Sequence, residues 1–200
     1  MAQTLEVEPR SVRTLDNFSL YLEKLRNRLE EELVKRGIRV HYIETRFVDE
    51  DESEIRYEVE IAIELKTVER VYYEGIYEIC NDAVAEKVAE GEISEDEAED
   101  YVEECVDEEV ASYDEEYGEP PFRFVYEKSY VKAELETVVE DDGYAREYID
   151  VIRVVYRRTS ARWLFERAEP GDIEVLVENE IDMMVPEIEA IVKAVRVLYG

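Results

Sequence analysis

Two hundred residues suffice for one domain, or for two small ones that share a core, and the 46% hydrophobic content with 15 Tyr separates this chain from disordered acidic proteins. Against 54 Asp and Glu stand 24 Lys and Arg, a net charge of -30, whose field repels nucleic acid and anionic lipid because both need positive surface. Two cysteines and one histidine exclude a multi-bridge disulfide scaffold, a His-rich zinc site and a Glu-x-x-His di-iron bundle.

Residues 1–13 read as an irregular arm. The start, Met1 to Glu8, has no basic n-region and no apolar run. No stretch approaches the ~18 apolar residues of a membrane span, so the expectation is a soluble, cytoplasmic protein. From Leu15 the apolar positions Leu15, Phe18, Leu22, Leu25, Leu29 and Leu33 recur at spacings of three and four, one stripe of a helix. Glu31–Lys35 and Glu32–Arg36 support it at i,i+4, and Gly37 is suited to stop it.

The period then changes to two. Ile38, Val40 and Tyr42 alternate with Arg39, His41 and Ile43. The charged turn Asp49–Glu54 follows, and Val59, Ile61, Ile63 and Leu65 then alternate with Glu58, Glu60, Ala62 and Glu64. This predicts a hairpin with one wet face. One helix is expected over roughly 76–90, ending at Gly91. Another starts at the capping-box pattern Ser94-Glu95-Asp96-Glu97, with Ala98, Tyr101, Val102, Cys105, Val106 and Val110 on its apolar face. Cys80 lies 12 residues before Glu92 and Cys105 lies 13 after it, so antiparallel packing places the two cysteines opposite each other, within the ~7 Å that a disulfide allows. In a cytoplasmic protein two packed thiols are the expected state rather than a bridge.

Gly118-Glu119-Pro120-Pro121 breaks the chain. A second hairpin is predicted from Phe122 to Val139, through Asp141-Asp142-Gly143, to Tyr144–Arg158. After the break at 169–172 and an ambiguous segment 173–180, a last helix is expected from Pro186, as its first residue, to Tyr199. The fold class is therefore α+β: antiparallel hairpins form a sheet of about four strands, with amphipathic helices packed mainly on one face. The alignment of Thr67–Glu74 with Thr159–Glu166 suggests a duplicated αββα unit. Two parts are expected, an αββα unit with an acidic helix over 1–117 and a ββα unit over 118–200, sharing one core.

Three constellations could carry chemistry. From Glu90 to Glu119 there are sixteen acids and no Lys or Arg. The plain reading is a solvated outer face. The functional readings are docking of a basic protein, mimicry of a nucleic-acid backbone, or a divalent cation site, although Asp49–Glu54 lacks the central Gly of an EF-hand loop. The second constellation is Arg146, Arg153, Arg157, Arg158, Arg162 and Arg167, with only three acids among them. Arginine forks bind carboxylates and phosphates alike. Pairing with the chain's acidic helices, or with the acidic face of a second subunit, is the plain reading; an anion site on Arg153, Arg157, Arg158 and Arg162, or a nucleic-acid groove, is the alternative. Third, Glu64-Leu65-Lys66 on a strand could hold Mg²⁺ with Glu44 or Asp49, as a divergent Mg²⁺-dependent nuclease would. His41 reads as a packed strand residue, and no G-x-S-x-G, G-x-G-x-x-G or Walker motif occurs.

These features point to a non-enzymatic interaction or assembly protein that binds itself as a homo-oligomer or binds a basic protein. A small-anion or phosphorylated-ligand protein, or an enzyme for one, is the alternative. No catalytic residue, metal ligand or cofactor is assigned. The 41 Glu, 17 Arg, one Gln and four Asn match a thermophile's composition, and in such a host the acidity would be an adaptation to the cytoplasm.

Overall fold

The computed structural model describes residues 9–199. Its elements are α1 (Pro9–Lys35), β1 (Val40–Glu50), β2 (Glu54–Tyr72), α2 (Tyr73–Glu90), a 3-10 turn (Glu95–Glu97), α3 (Ala98–Tyr117), β3 (Val125–Lys128), β4 (Val131–Asp141), β5 (Ala145–Ala161), α4 (Trp163–Glu166) and α5 (Pro170–Tyr199). The five strands form one antiparallel sheet in the order β1-β2-β5-β4-β3, an α+β fold. The fifth strand arises because the segment expected as one strand, Phe122–Val139, folds back at Ser129-Tyr130 with Lys128 opposite Val131. Neither turn residue has a positive φ, so no Gly or Asn marked the hairpin in the sequence.

Two other boundaries differ from expectation. Pro9–Arg13 belong to α1, whereas the rest of the expected arm lies outside the described residues. The last helix begins at Pro170, and Pro186 sits inside it. An interior proline costs about 3 kcal/mol. The stripe Ile173, Val177, Ile181, Met184, Val185 and Ile188 is buried on both sides of it, and each such side chain contributes about 1.5–3 kcal/mol. Burial therefore carries the helix through the proline.

The chain divides into two compact units. Unit 1 comprises Met1–Glu64, Phe124–Glu134 and Ile152–Gly200. In it α1 buries Phe18, Leu22, Leu25, Leu29 and Leu33, whereas Leu15 is exposed. Gly37 ends α1 with φ +71, the left-handed conformation that favours glycine. Glu32 draws in Arg28, Lys35 and Arg36, so Lys35 pairs at i,i+3 rather than with the expected Glu31. The alternation of β2 holds for its glutamates: Val59, Ile61 and Ile63 are fully buried, and Glu58, Glu60 and Glu64 are half-exposed, whereas Ala62, expected on the wet face, is fully buried too. Leu65, expected in the core, is only half-buried. Phe18 meets Tyr57 and Phe165 edge-on at 5.4 and 5.1 Å, geometries that favour aromatic pairs beyond area burial.

Unit 2 comprises Leu65–Arg123 and Leu135–Val151. Here α2 and α3 form the expected helical hairpin. Gly91 closes α2 with φ +75, and Ser94 and Glu97 make the capping box. Cys80 and Cys105 do lie opposite each other, with Cα atoms 5.8 Å apart. They are joined as a disulfide, which corrects the expectation of two thiols. With both sulfurs already in contact across the hairpin, bonding needs no backbone movement. Val71, Ile76, Cys80, Val106 and Tyr148 form a small buried cluster beneath the hairpin.

Candidate functional site

Periodicity puts α3's apolar positions on one side, yet only Val106 of that helix is fully buried. Cys105, Val110, Tyr113 and Tyr117 pack half-buried against the core cluster, and Ala98 and Val102 border a groove. From α2 come Tyr77, Asn81, Val84, Ala85 and Val88; from α3 come Ala98 and Val102. The groove measures about 610 Å³. Its α3 edge carries Glu95, Glu99 and Glu103, three carboxylates one helical turn apart. They repel one another by a few tenths of a kcal/mol per pair. The stretch Glu90–Glu119 contains no Lys or Arg to relieve them. Val84 is buried and forms part of the floor, whereas Ala85 and Tyr77 are exposed. Tyr77, Asn81, Val84, Ala85 and Val88 recur at helical spacing, so this stripe was legible in the sequence. What was not legible was that it faces a gap rather than the core.

The arginine cluster is distributed over several places. On one face of unit 1's sheet, Arg153 makes a fork with Glu60, Nε to Oε1 at 2.7 Å and Nη2 to Oε2 at 3.3 Å. This holds Glu60 below the usual carboxylate range, mainly through the Arg153 hydrogen bond, against the opposing effect of burial. The hydroxyl of Tyr42 donates to Glu60 at 2.6 Å, and burial and that carboxylate push Tyr42 up to about 12. Arg157 meets Glu58 through Nε at 3.4 Å and is 76% exposed, while Arg46 pairs with the same Glu58. Cross-strand pairs of this kind set the sheet's register more than its stability.

Arg158 faces the opposite way. Its Nε approaches Glu180 Oε1 at 2.5 Å as an ion pair, and Nη2 donates to Oε2 at 3.1 Å. Glu180 is on α5. Beside this pair the buried hydroxyls of Tyr21 and Tyr57 are 2.9 Å apart; burial drives Tyr21 far above the normal tyrosine range and raises Tyr57 as well. Arg162 stands at the β1–β2 turn, where its Nη1 is 3.7 Å from Glu50 and its Nε 3.6 Å from Glu166. So Arg153 and Arg157 share one surface, and Arg158 and Arg162 do not join it. In unit 2, Arg146 makes paired contacts with Asp114 and Asp141, as expected of a structural arginine. Arg153 and Arg157, with Arg46, Lys128 and Lys132, line a cleft of about 430 Å³ that also contains Glu58, Glu60, Glu127 and Glu134. Arg46, Lys128 and Lys132 come from remote segments, and no local signal connected them to the arginine run.

The Mg²⁺ constellation does not assemble. Glu44 faces Glu60 and Asp49 faces Arg56 across the β1–β2 ladder. They therefore stand about 13 and 26 Å along the strand from Glu64, at about 3.3 Å per residue. Glu64 instead meets Arg39 at 3.1 Å. Among the described residues no group of three His, Cys, Asp or Glu is placed to hold a metal ion. His41 falls at the bulge between Val40 and Tyr42, with its ring edge-on to Tyr42. No helix among the described residues is long and apolar enough to cross a membrane.

Three carboxylates, Asp141 and Asp51 exposed and Glu32 half-buried, are held well below their ordinary values. Asp141 is lowered to about 2 by the Tyr73 hydroxyl, the Gly143 N–H and Arg146. Asp51 falls to about 2 through Ser53 and Glu54 N–H donors in the β1–β2 turn, and Glu32 to about 2 through Lys35, Arg36 and Arg28. A carboxylate whose folded value is depressed stabilises the fold above its unfolded value and loses that contribution as pH falls through the folded one. These three contributions should be intact at pH 5 and vanish between about pH 4 and 2. Urea midpoints followed by circular dichroism across that interval should decline with falling pH, and Asp141→Asn should flatten part of the decline. A midpoint that rises steadily towards pH 2 would show that relief of the -30 repulsion outweighs them.

The chain was compared with known family models, curated proteins and solved structures, and none of the three comparisons yields a match.

Proposed function

We propose that this protein is a non-enzymatic docking module that receives a basic amphipathic helix in the α2–α3 groove of unit 2. The observation that carries this reading is the pairing of an apolar lining, Val84, Ala85, Val88 and Val102, with the carboxylate row Glu95, Glu99 and Glu103. An amphipathic helix laid in a groove recognises it through apolar anchors at i, i+3/i+4 and i+7. A row of Lys or Arg spaced by four on the same partner would face the carboxylates and offset their mutual repulsion. A second copy of this chain fits poorly, since it brings a further -30, and at low salt that repulsion extends well beyond ~10 Å. Homo-oligomerisation is therefore the competing outcome, to be read by light scattering.

Fluorescence anisotropy with a labelled amphipathic peptide of about 14 residues, long enough for four turns, tests the proposal. Saturable binding is expected, weaker at high salt. Exposed ionic contacts contribute about 0–1 kcal/mol each, so the triple variant Glu95→Gln, Glu99→Gln, Glu103→Gln should bind about tenfold more weakly. Ala85→Trp, at an exposed groove position, should block the site. Equal binding by a scrambled peptide of identical charge, or no effect of Ala85→Trp, would sink the groove and leave only diffuse charge attraction.

A second reading, binding of a small anion, draws support from one observation: the cleft of Arg153 and Arg157 gathers Arg46, Lys132 and Lys128 beside them in a chain this acidic, with Lys128 shared with Glu187. Arg158 and Arg162 would contribute nothing to it directly. Titration with a phosphorylated metabolite separates the two readings, since Arg153→Gln with Arg157→Gln should abolish that binding and leave the peptide's unchanged.

A further inference from the structure

Unit 1 contains a second cavity of about 490 Å³ between β3 and α5, which shares Lys128 and Tyr130 with the Arg153 cleft. At one end is Glu187 of α5. Its Oε1 accepts hydrogen bonds from the hydroxyls of Tyr126 at 2.9 Å and Tyr130 at 3.3 Å, and Tyr156 reaches Oε2 at 3.5 Å. The fourth donor is an ammonium: Lys128 Nζ lies 2.5 Å from Oε1. That nitrogen also lies 5.3 Å from the ring centroid of Tyr126 and 5.9 Å from that of Tyr130, within the ~6 Å range of a cation–π contact. Beyond it the walls turn apolar, with Phe124, Met183, Ala190, Ile191 and Ala194.

An ammonium on a carboxylate, covered by aromatic faces and followed by apolar walls, is the recognition chemistry of an alkylammonium ion. The resident cation is tethered to a surface strand. Lys128 is half-exposed, whereas Glu187 retains only 13% of its side-chain surface. The lysine stem can therefore swing to solvent while the carboxylate stays in the cavity. Burial alone would raise Glu187, but Lys128 and Tyr126 outweigh it and hold the group ionised. The long-range field of a -30 chain also concentrates cations and excludes anions.

We propose that this cavity binds a primary alkylammonium group, which displaces Lys128 from Glu187 and lays its aliphatic stem along Ala190, Ile191 and Ala194. Lys128 then acts as a tethered competitor, so removing it should uncover the site.

Isothermal titration calorimetry with n-butylammonium chloride, at constant ionic strength against sodium chloride, is the test. Lys128→Ala should bind at least tenfold more tightly than wild type. Adding Glu187→Gln to that variant should weaken binding at least tenfold. Should that double variant unfold, Lys128→Ala with Tyr126→Leu keeps the carboxylate and removes one ring, and at least threefold weaker binding is expected. A parallel titration with lysine blocked at both its backbone ends identifies the source of the group. Tighter binding than butylammonium indicates a lysine of another protein, and equal or weaker binding indicates a free amine. Two results overturn the proposal: a Lys128→Ala protein that binds no more tightly than wild type, or one whose binding is untouched by both second-site changes.

Discussion

Replacing Cys80 and Cys105 together by alanine should lower stability by about 3.5 kcal/mol, the chain-entropy value for a bridge closing a 25-residue separation. The effect is large because the non-covalent core of unit 2 is small. Its buried cluster is Val71, Ile76, Cys80, Val106 and Tyr148, and α3 has a single fully buried residue, Val106. Without the bridge, sixteen acids between Glu90 and Glu119 repel one another on a hairpin whose further α3 contacts with that cluster, through Val102, Val110, Tyr113 and Tyr117, are only half-buried. Urea denaturation with and without reductant measures this, with thiol content verified by mass spectrometry. The groove lies on the same two helices, so the amphipathic peptide should also lose affinity on reduction. If the fully reduced protein keeps its midpoint, the disulfide is not what holds the hairpin.

The second large effect concerns Arg158 and Glu180. Their side chains are 22% and 13% exposed, and they meet between β5 and α5 of unit 1. Forming such a pair gains little over an apolar pair of similar volume, because both ions lose their hydration. Breaking it is costly. Arg158→Met leaves the Glu180 carboxylate without its guanidinium close to the buried Tyr21 and Tyr57 hydroxyls, and should lose about 3 kcal/mol. Glu180→Met should lose a similar amount. The double variant should recover most of either loss, since no uncompensated charge remains. Urea midpoints of all four proteins close the cycle. Additive losses in the double variant would mean that the two groups do not stabilise one another.

Much of this molecule is legible from residue spacing alone. The α1 stripe, the β1–β2 hairpin, the Gly91 stop, the Ser94 capping box and the juxtaposition of Cys80 with Cys105 all follow from periods of 3.6 and 2 and from capping chemistry, which act over a few residues. The pairing of arginine with glutamate follows from the scarcity of cations in an acidic chain, and Arg153, Arg157 and Arg158 do face Glu60, Glu58 and Glu180.

Tertiary structure decided what depends on remote segments. Ser129-Tyr130 turns without glycine because β3 and β4 pair across it. Pro186 stays helical because buried residues on both sides outweigh a lost hydrogen bond. Arg158 parts from Arg157 because neighbouring strand residues point to opposite faces, and only one of those faces meets α5. Glu187 gathers Tyr126, Lys128, Tyr130 and Tyr156 from more than thirty residues away. A spacing rule reports which side of an element a residue occupies. What stands opposite that side is set by how the elements pack, and this is why the acidic groove and the ammonium cavity emerge only in three dimensions.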